Sequence, residues 1–151
     1  MADIVTNPKA RRDYHILETL EAGIVLRGTE VKSLRAGKGQ IRDAYARVED
    51  GEVFLHNAHI DEYAQGNRQN HEPKAARKLL LHKREIQKLF GLAEVKDHVL
   101  VPLSFYWRNG RVKVALAVGR SKAQFDKRAA LQKREADREL KRATLRGLKG
   151  R

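Results

Sequence analysis

The chain has no cysteine, which removes disulfide staples, thiolate nucleophiles and every zinc site built on sulfur. No apolar run approaches the roughly 20 residues that a membrane-spanning helix needs. The opening residues Met1–Pro8 lack a charged stretch followed by an apolar one, so a secretory signal is not expected and the expected location is cytoplasmic. No internal repeat is visible. No serine, histidine and aspartate, and no cysteine and histidine, stand at a spacing that points to nucleophilic catalysis. What these absences leave is a basic binding protein with no expected cofactor or metal.

Charge is what the chain has in excess. Its 151 residues carry a net +13 and a pI near 10.3. The surplus is concentrated at the C-terminal end, where Arg120–Arg151 holds 12 Lys/Arg against 4 Asp/Glu and contains no Val, Ile, Trp or Tyr. Such a segment buries too little apolar surface to offset its ordering entropy, so it is expected to be unfolded or frayed when free. A basic arm on a better balanced body is an electrostatic footprint for polyphosphate; a merely solubilising tail is the plainer reading. The arm has no aromatic or leucine-rich face to insert into a lipid surface, so a membrane partner is not expected. The expected division is a body over residues 1–119 and a tail over 120–151.

The body reads as strands. From Val99 to Val118, apolar residues alternate on both sides of Asn109-Gly110, a pair suited to the positive φ angles of a type I′ turn. The implied register pairs Trp107 with Val112, Phe105 with Val114, Leu103 with Leu116 and Val101 with Val118, placing every apolar partner on one face. Ser104, Tyr106 and Lys113 fall on the other. A second hairpin around Asp50-Gly51 sets Val48 against Val53 and Ala46 against Leu55. Its outer face then carries Tyr45, Arg47, Phe54 and His56, equipment either for stacking bases or for packing under a helix or loop.

Tyr14–Leu26 reads as one or two further strands, with Ile16, Leu20 and Ala22 on one side and a bend or bulge at Gly23. A short helix is expected over Glu30–Ala36, opened by Thr29 and stopped by Gly37. Another is expected over Lys83–Phe90 with Gly91 as a left-handed cap. Gln65–Pro73 reads as a mobile loop. Several short strands with one or two small helices predict a mainly β fold, a compact OB-like antiparallel barrel.

The short motifs reduce to local structure. Gly37-Lys38-Gly39 lacks P-loop spacing and follows a helix, so it reads as a turn. His56 and His59, three apart on extended backbone, point to opposite faces and make poor co-ligands. Asp13, Glu30 and Lys32 imitate the acidic and lysine set of magnesium-dependent nucleases, but a helix at Thr29 breaks the strand face that this set requires.

Five separated blocks carry a more specific signal. They are Asn7–Tyr14, Glu18–Ile24, Gly28–Arg35, Arg77–Lys83 and Phe125–Arg128, in this order and followed by the basic tail. Over essentially the whole chain they closely resemble the SsrA-binding protein (SmpB) family. The resemblance implies an OB-like barrel that binds the tRNA-like end of transfer-messenger RNA (tmRNA) and brings it to stalled bacterial ribosomes for trans-translation. It implies no enzymatic activity, a monomer when free, and a tail that enters the vacant mRNA channel of the small subunit and folds there as a helix.

By this resemblance Asn7, Glu21 and Leu80 match RNA-binding positions. His82 stands where some members carry Asn, Arg12 where many carry His, and Ala75 where Arg is common. The basic residues Lys9, Arg11, Lys32 and Arg35 of the matching blocks complete the expected RNA-binding set with His82. Lys122, Phe125, Asp126, Lys127 and Arg128 form the expected ribosome-binding part of the tail.

A helix over residues 126–146 would be about 31 Å long at roughly 1.5 Å per residue. Its pairs Asp137–Lys141 and Glu139–Arg142 are each worth only about 0.2–0.5 kcal/mol. That is helical tendency without independent stability. Two rivals remain at this level: a less selective ribosomal or RNA-chaperone protein, and the nuclease.

Overall fold

The computed structural model describes residues 2–65, 70–122 and 131–142. Its frame is a long hairpin of β8 (His98–Arg108) and β9 (Arg111–Ser121). Asn109 and Gly110 take φ of 52° and 73° at the turn, the positive pair that the dipeptide foretells. A second hairpin joins β4 (Tyr45–Glu49) to β5 (Glu52–His56) through Asp50 and Gly51, with φ of 51° and 77°. Its register is the expected one, Val48 opposite Val53 and Ala46 opposite Leu55.

These hairpins are linked into a ring by β2 (Tyr14–Ile24) and β7 (Arg77–Leu80). Pairing runs from β8 to β4, β5, β7, β2 and β9, and β9 returns to β8. The narrowest joint is β4 on β8, a single residue pair, Ala46 with Leu100. β1 (Asp3–Thr6) lies along the end of β8, and β3 (Gly39–Gln40) pairs with β6 (His59–Ile60) apart from the ring. Among the described residues every pairing is antiparallel, in keeping with the expected antiparallel barrel.

The core holds Val53, Leu55, Leu79, Phe105, Val114, Leu116 and Val118, all essentially inaccessible to solvent. Each such side chain stabilises the fold by about 1.5–3 kcal/mol relative to exposure. Three short helices close it. α2 (Gly28–Arg35) contributes Leu34 and α3 (Lys83–Ala93) contributes Leu89 to it, while Ala10 of α1 (Pro8–Asp13) is buried in a smaller cluster beside it.

Strand register departs from simple alternation at two bulges. In β8 an extra residue, Leu103, lies between Pro102 and Ser104. Trp107 and Phe105 therefore pair as expected, but Leu116 faces Pro102, and Val101 faces Ala117 instead of Val118. The cause is local. Pro102 has no N–H for the ladder, and the carbonyl of Leu103 is taken by the backbone N–H of Asn7 at 2.9 Å. Val101 and Leu103 consequently leave the main core for a second cluster with Ala10 and Ala117. In β2 the extra residue is Leu17, so Ile16 joins that second cluster while Leu20 and Ala22 stay with the main core.

The helix ends also differ from expectation. Gly91 lies inside α3, which continues to Ala93 because Leu92 and Ala93 still pack on the core. α2 begins at Gly28 rather than after Thr29; Glu30 accepts the Arg27 N–H at 2.8 Å, the return bond of a capping box. Gly37 ends α2 with φ 72°, as foreseen.

Nor is the described part of Gln65–Pro73 a free loop. His71 is 3% exposed, with Nε2 donating to the Ile60 carbonyl at 2.8 Å and Nδ1 lying 2.9 Å from the Thr29 hydroxyl. Residues 131–142 of the tail are helical and exposed, Leu131 and Leu140 included.

Candidate nucleic-acid interface

Glu21 sits on the outer face of β2, opposite Ala115. Across the hairpin, the Tyr106 hydroxyl and Nη1 of Arg108 both donate to its Oε2, the latter at 2.7 Å. These two bonds, first that from Tyr106 and then that from Arg108, hold the Glu21 carboxyl below the usual carboxylate range. Burial and the adjacent carboxylate push the Tyr106 phenol up to about 12. The ion pair raises Arg108 in turn, chiefly through its hydrogen bond to Glu21. A carboxylate on a basic protein is thus converted into a clamp that fixes a guanidinium and a phenol at the surface.

Two residues along β2, Gly23 lets β7 approach closely. A Cβ there would stand 3.2 Å from the Cβ of Leu80. Leu80 itself is 51% exposed and lines a cleft of about 310 Å³ with Gly23, Ile24, Val31, Trp107 and Lys113. Arg35, at the end of α2, lies over the Trp107 ring at 5.6 Å. The fold therefore brings Glu21, Leu80 and Arg35 to one region, with Trp107 between the last two. His82 is exposed two residues beyond Leu80, at the N-cap of α3, where its N–H donates to Glu85 at 3.0 Å. Lys32 lies over Tyr63 at 5.5 Å.

Asn7 behaves differently from the other candidates. It is 4% exposed and fully engaged: Nδ2 donates to the carbonyls of Ile41 (3.1 Å) and Pro102 (2.9 Å), while Oδ1 accepts the Ala10 N–H at 3.3 Å. Its side chain fastens α1 to β8 and to the loop after β3. Lys9 and Arg11 are displayed on that helix; Lys9 pairs with Asp43 at 3.1 Å, and Arg11 is exposed. Arg12 is exposed beside Asp13 at 3.5 Å, and Ala75 is half-buried after β6. Lys122 is half-buried just past β9, whereas Phe125, Asp126, Lys127 and Arg128 lie outside the described residues.

On the outer face of the β4–β5 hairpin Tyr45, Phe54 and His56 are half-buried and Arg47 is exposed. Tyr45 and His56 stack at 5.4 Å, Arg47 covers Tyr45 at 5.2 Å, and Phe54 lies opposite Arg47. Tyr45, Arg47 and His56 thus spend much of their stacking capacity on one another.

The nuclease set is not assembled. Glu30 is 4% exposed and bonded to Arg77, which also donates to the Ala58 carbonyl at 2.7 Å and the Pro73 carbonyl at 2.9 Å. Lys32 is turned outward over Tyr63. His56 and His59 each engage a separate carboxylate, Glu49 and Asp61, at 2.8 Å. Among the described residues no helix is long and apolar enough to cross a membrane.

Sequence reasoning missed Tyr106, Trp107 and Arg108 as site residues. Tyr106 had been placed on the correct outer face, but its partner Glu21 lies 85 residues away in sequence. Only the pairing of β2 with β9 brings them together.

The family model described as SmpB protein matches residues 4–146. The SsrA-binding protein of a Geobacillus species (strain WCH70) is 57% identical over 140 residues, covering 93% of this chain and 90% of that protein. The SsrA-binding protein of Acidothermus cellulolyticus is 57% identical over 147 residues, covering 97% and 92%. A solved structure described as "tmRNA-SmpB: a journey to the center of the bacterial ribosome" superposes with a TM-score of 0.68 at 51% identity, over 80% of this chain and 85% of the other. An OB-like barrel bearing the Glu21 and Leu80 surface, matched by relatives along nearly its full length, places this chain in the SmpB protein family.

Proposed function

We propose that the chain is an RNA-binding adaptor. Its barrel binds the tRNA-like domain of tmRNA and delivers it to stalled ribosomes for trans-translation. Membership of the SmpB family carries this reading, together with the likeness to a solved structure whose description couples SmpB to tmRNA and the bacterial ribosome. The partners are tmRNA and the small ribosomal subunit with its RNA, and the place of work is the cytoplasm, where those partners are.

On this reading the barrel residues take distinct roles. Arg108 and Tyr106, clamped by Glu21, present donors to ribose, base or phosphate. Leu80 and Trp107 offer apolar surface to an unstacked base or sugar. Lys9, Arg11, Lys32, Arg35 and His82 supply surrounding charge and hydrogen bonds. The tail, with Lys122, Phe125, Asp126, Lys127 and Arg128, enters the vacant mRNA channel. No step of bond making or breaking is assigned to the protein.

Competition binding tests the reading. The full chain should prefer a tRNA-like RNA over a duplex of equal charge, and should restore peptide tagging on stalled ribosomes. Equal affinity for both RNAs would leave a general RNA-binding protein. RNA cleavage in the presence of magnesium would restore the nuclease.

A further inference from the structure

The joint between the barrel and the tail is held by side chains outside the RNA-binding set. β8 begins at His98 and β9 ends at Ser121, so His98 opposite Arg120 is the outermost pair of their ladder among the described residues. The ends of a ladder open first, because support comes from one side only. Here the last pair is closed by its own side chains, with Nη2 of Arg120 3.3 Å from Nε2 of His98. The other ring nitrogen, Nδ1, lies 2.9 Å from the Leu92 carbonyl and carries the proton, since a carbonyl only accepts. Nε2 is therefore the acceptor and the Arg120 guanidinium the donor, in a charge-assisted bond.

The Leu92 carbonyl belongs to the last turn of α3, where carbonyls have no partner further along the helix. It also accepts the Val95 N–H at 3.2 Å, and the Val95 carbonyl accepts the His98 N–H at 3.2 Å. The end of α3, the turn into β8 and the end of β9 thus meet on one imidazole. At its other end α3 starts from His82, and Lys88 along it is paired with Glu18 of β2. Its 11 residues span roughly 16 Å at about 1.5 Å per residue. One anchored rod therefore runs from the RNA-binding face to the root of the tail.

From this placement we infer that His98 is a positioning residue for the tail. By joining Arg120 to the end of α3 it fixes the direction in which the chain leaves the barrel, and so aims the tail relative to the RNA that the barrel holds. A tail with little stability of its own takes its direction from its root, and Lys122, the first residue past β9, is still half-buried there. The inference rests on the adaptor reading above and adds to it a residue whose role needs no contact with RNA.

The test compares His98→Gln with His98→Phe in the full chain. Gln can again donate to the Leu92 carbonyl and accept from Arg120; Phe keeps a ring of similar bulk and can do neither. Three quantities are read: amide exchange from Gly119 to Ser121, affinity for a tRNA-like RNA, and peptide tagging on stalled ribosomes with tmRNA saturated by the protein. In the Phe variant, protection at the end of β9 should fall by about ten-fold or more, as loss of a bond to a charged donor implies. Tagging should fall several-fold with it, while RNA affinity stays parental. The Gln variant should follow the parent in all three. Arg120→Met opens the same bond from the other side, should Phe disturb the end of α3; it should lower protection and tagging likewise, and the double variant should lose no more.

Parental tagging in the Phe and Met variants would overturn the positioning role. Equal losses in the Gln and Phe variants would reduce His98 to ring packing, and additive losses in the double variant would mean that the two residues act separately; either result overturns the inference. So would a tagging loss that merely followed weaker RNA binding. Failure of the unaltered chain to prefer the tRNA-like RNA would count against the adaptor reading instead.

Discussion

Arg108 donates Nη1 to Oε2 of Glu21 at 2.7 Å, and the same oxygen receives the Tyr106 hydroxyl. The acidic residue that the family resemblance singles out is therefore bound within the protein before any RNA arrives. Its role becomes one of aiming donors. If so, Glu21→Ala and Arg108→Ala should each weaken binding of a tRNA-like RNA several-fold, and more than they weaken binding of random RNA. The double variant should be little worse than either single one, since both remove the same presented group. Fluorescence titrations of the three variants check this. Additive losses would mean that Glu21 meets the RNA on its own account.

The same clamp makes a pH prediction. Tyr106 titrates near 12, above its ordinary value of 10.0, because burial and then the Glu21 carboxylate disfavour the phenolate. A raised native pKa stabilises the fold fully below pH 10, and this contribution is lost as pH rises from about 10 through about 12. The phenolate absorbance should contain a late component that disappears in Tyr106→Phe. In Glu21→Gln it should move only part of the way back, since burial, the larger cause, remains.

Glu30 and Arg77 form an ion pair whose side chains are 5% and 2% exposed. Removing one partner of such a pair strands a buried charge, at a cost of about 3–5 kcal/mol. Arg77→Met should lower the urea midpoint accordingly, while any binding loss should follow the unfolded fraction. Glu30→Gln should likewise affect stability and leave RNA uncleaved in magnesium, as in the parent. A magnesium-dependent cleavage that Glu30→Gln abolished would contradict the structural role.

What could be read in the sequence follows the range of the interactions. Both hairpin turns were legible because Asn109-Gly110 and Asp50-Gly51 specify their own φ angles. The bulge at Leu103 was not. Leu100 to Leu103 are buried on both faces, so apolar alternation carries no mark of the inserted residue. Asn7 was legible as a position but not as a buried bracket between Ile41 and Pro102, the second 95 residues distant. Glu30 read as a possible metal ligand because its partner, Arg77, lies 47 residues away. His71 fell within an apparently polar loop for the same reason: Thr29, its partner, is 42 residues off.

The boundary between body and tail can be tested by truncation. Apolar alternation ends at Val118, but β9 continues to Ser121, with Arg120 opposite His15 and His98, and Ser121 opposite Tyr14. A cut after Lys122 should therefore melt close to the full chain and keep its affinity for tRNA-like RNA. A cut after Gly119 removes those last pairs and should melt lower. Identical melting of the two would mean that the end of β9 contributes nothing to the barrel.

The tail itself decides between a tether and a probe. Residues 131–142 are helical yet exposed throughout, so nothing in the barrel's core is invested in them. The sequence offers them only spacings such as Asp137 to Lys141 for support, each such pair being worth about 0.2–0.5 kcal/mol where it forms. An isolated tail peptide should accordingly show little helix by circular dichroism in buffer and more in a helix-inducing cosolvent. On the proposed reading, in which the tail folds as a helix on the ribosome, Asp126 would favour that helix's N-terminal end, Lys127 and Arg128 would meet ribosomal RNA and Phe125 would stack at the channel mouth. Replacing Asp126, Lys127 and Arg128 with Ala should then leave binding of free tmRNA nearly intact, because the barrel makes that contact, while abolishing tagging on stalled ribosomes. A tether would tolerate the same change, since ten Lys/Arg of the tail survive it. Tagging at the parental level by the triple variant would establish the tether.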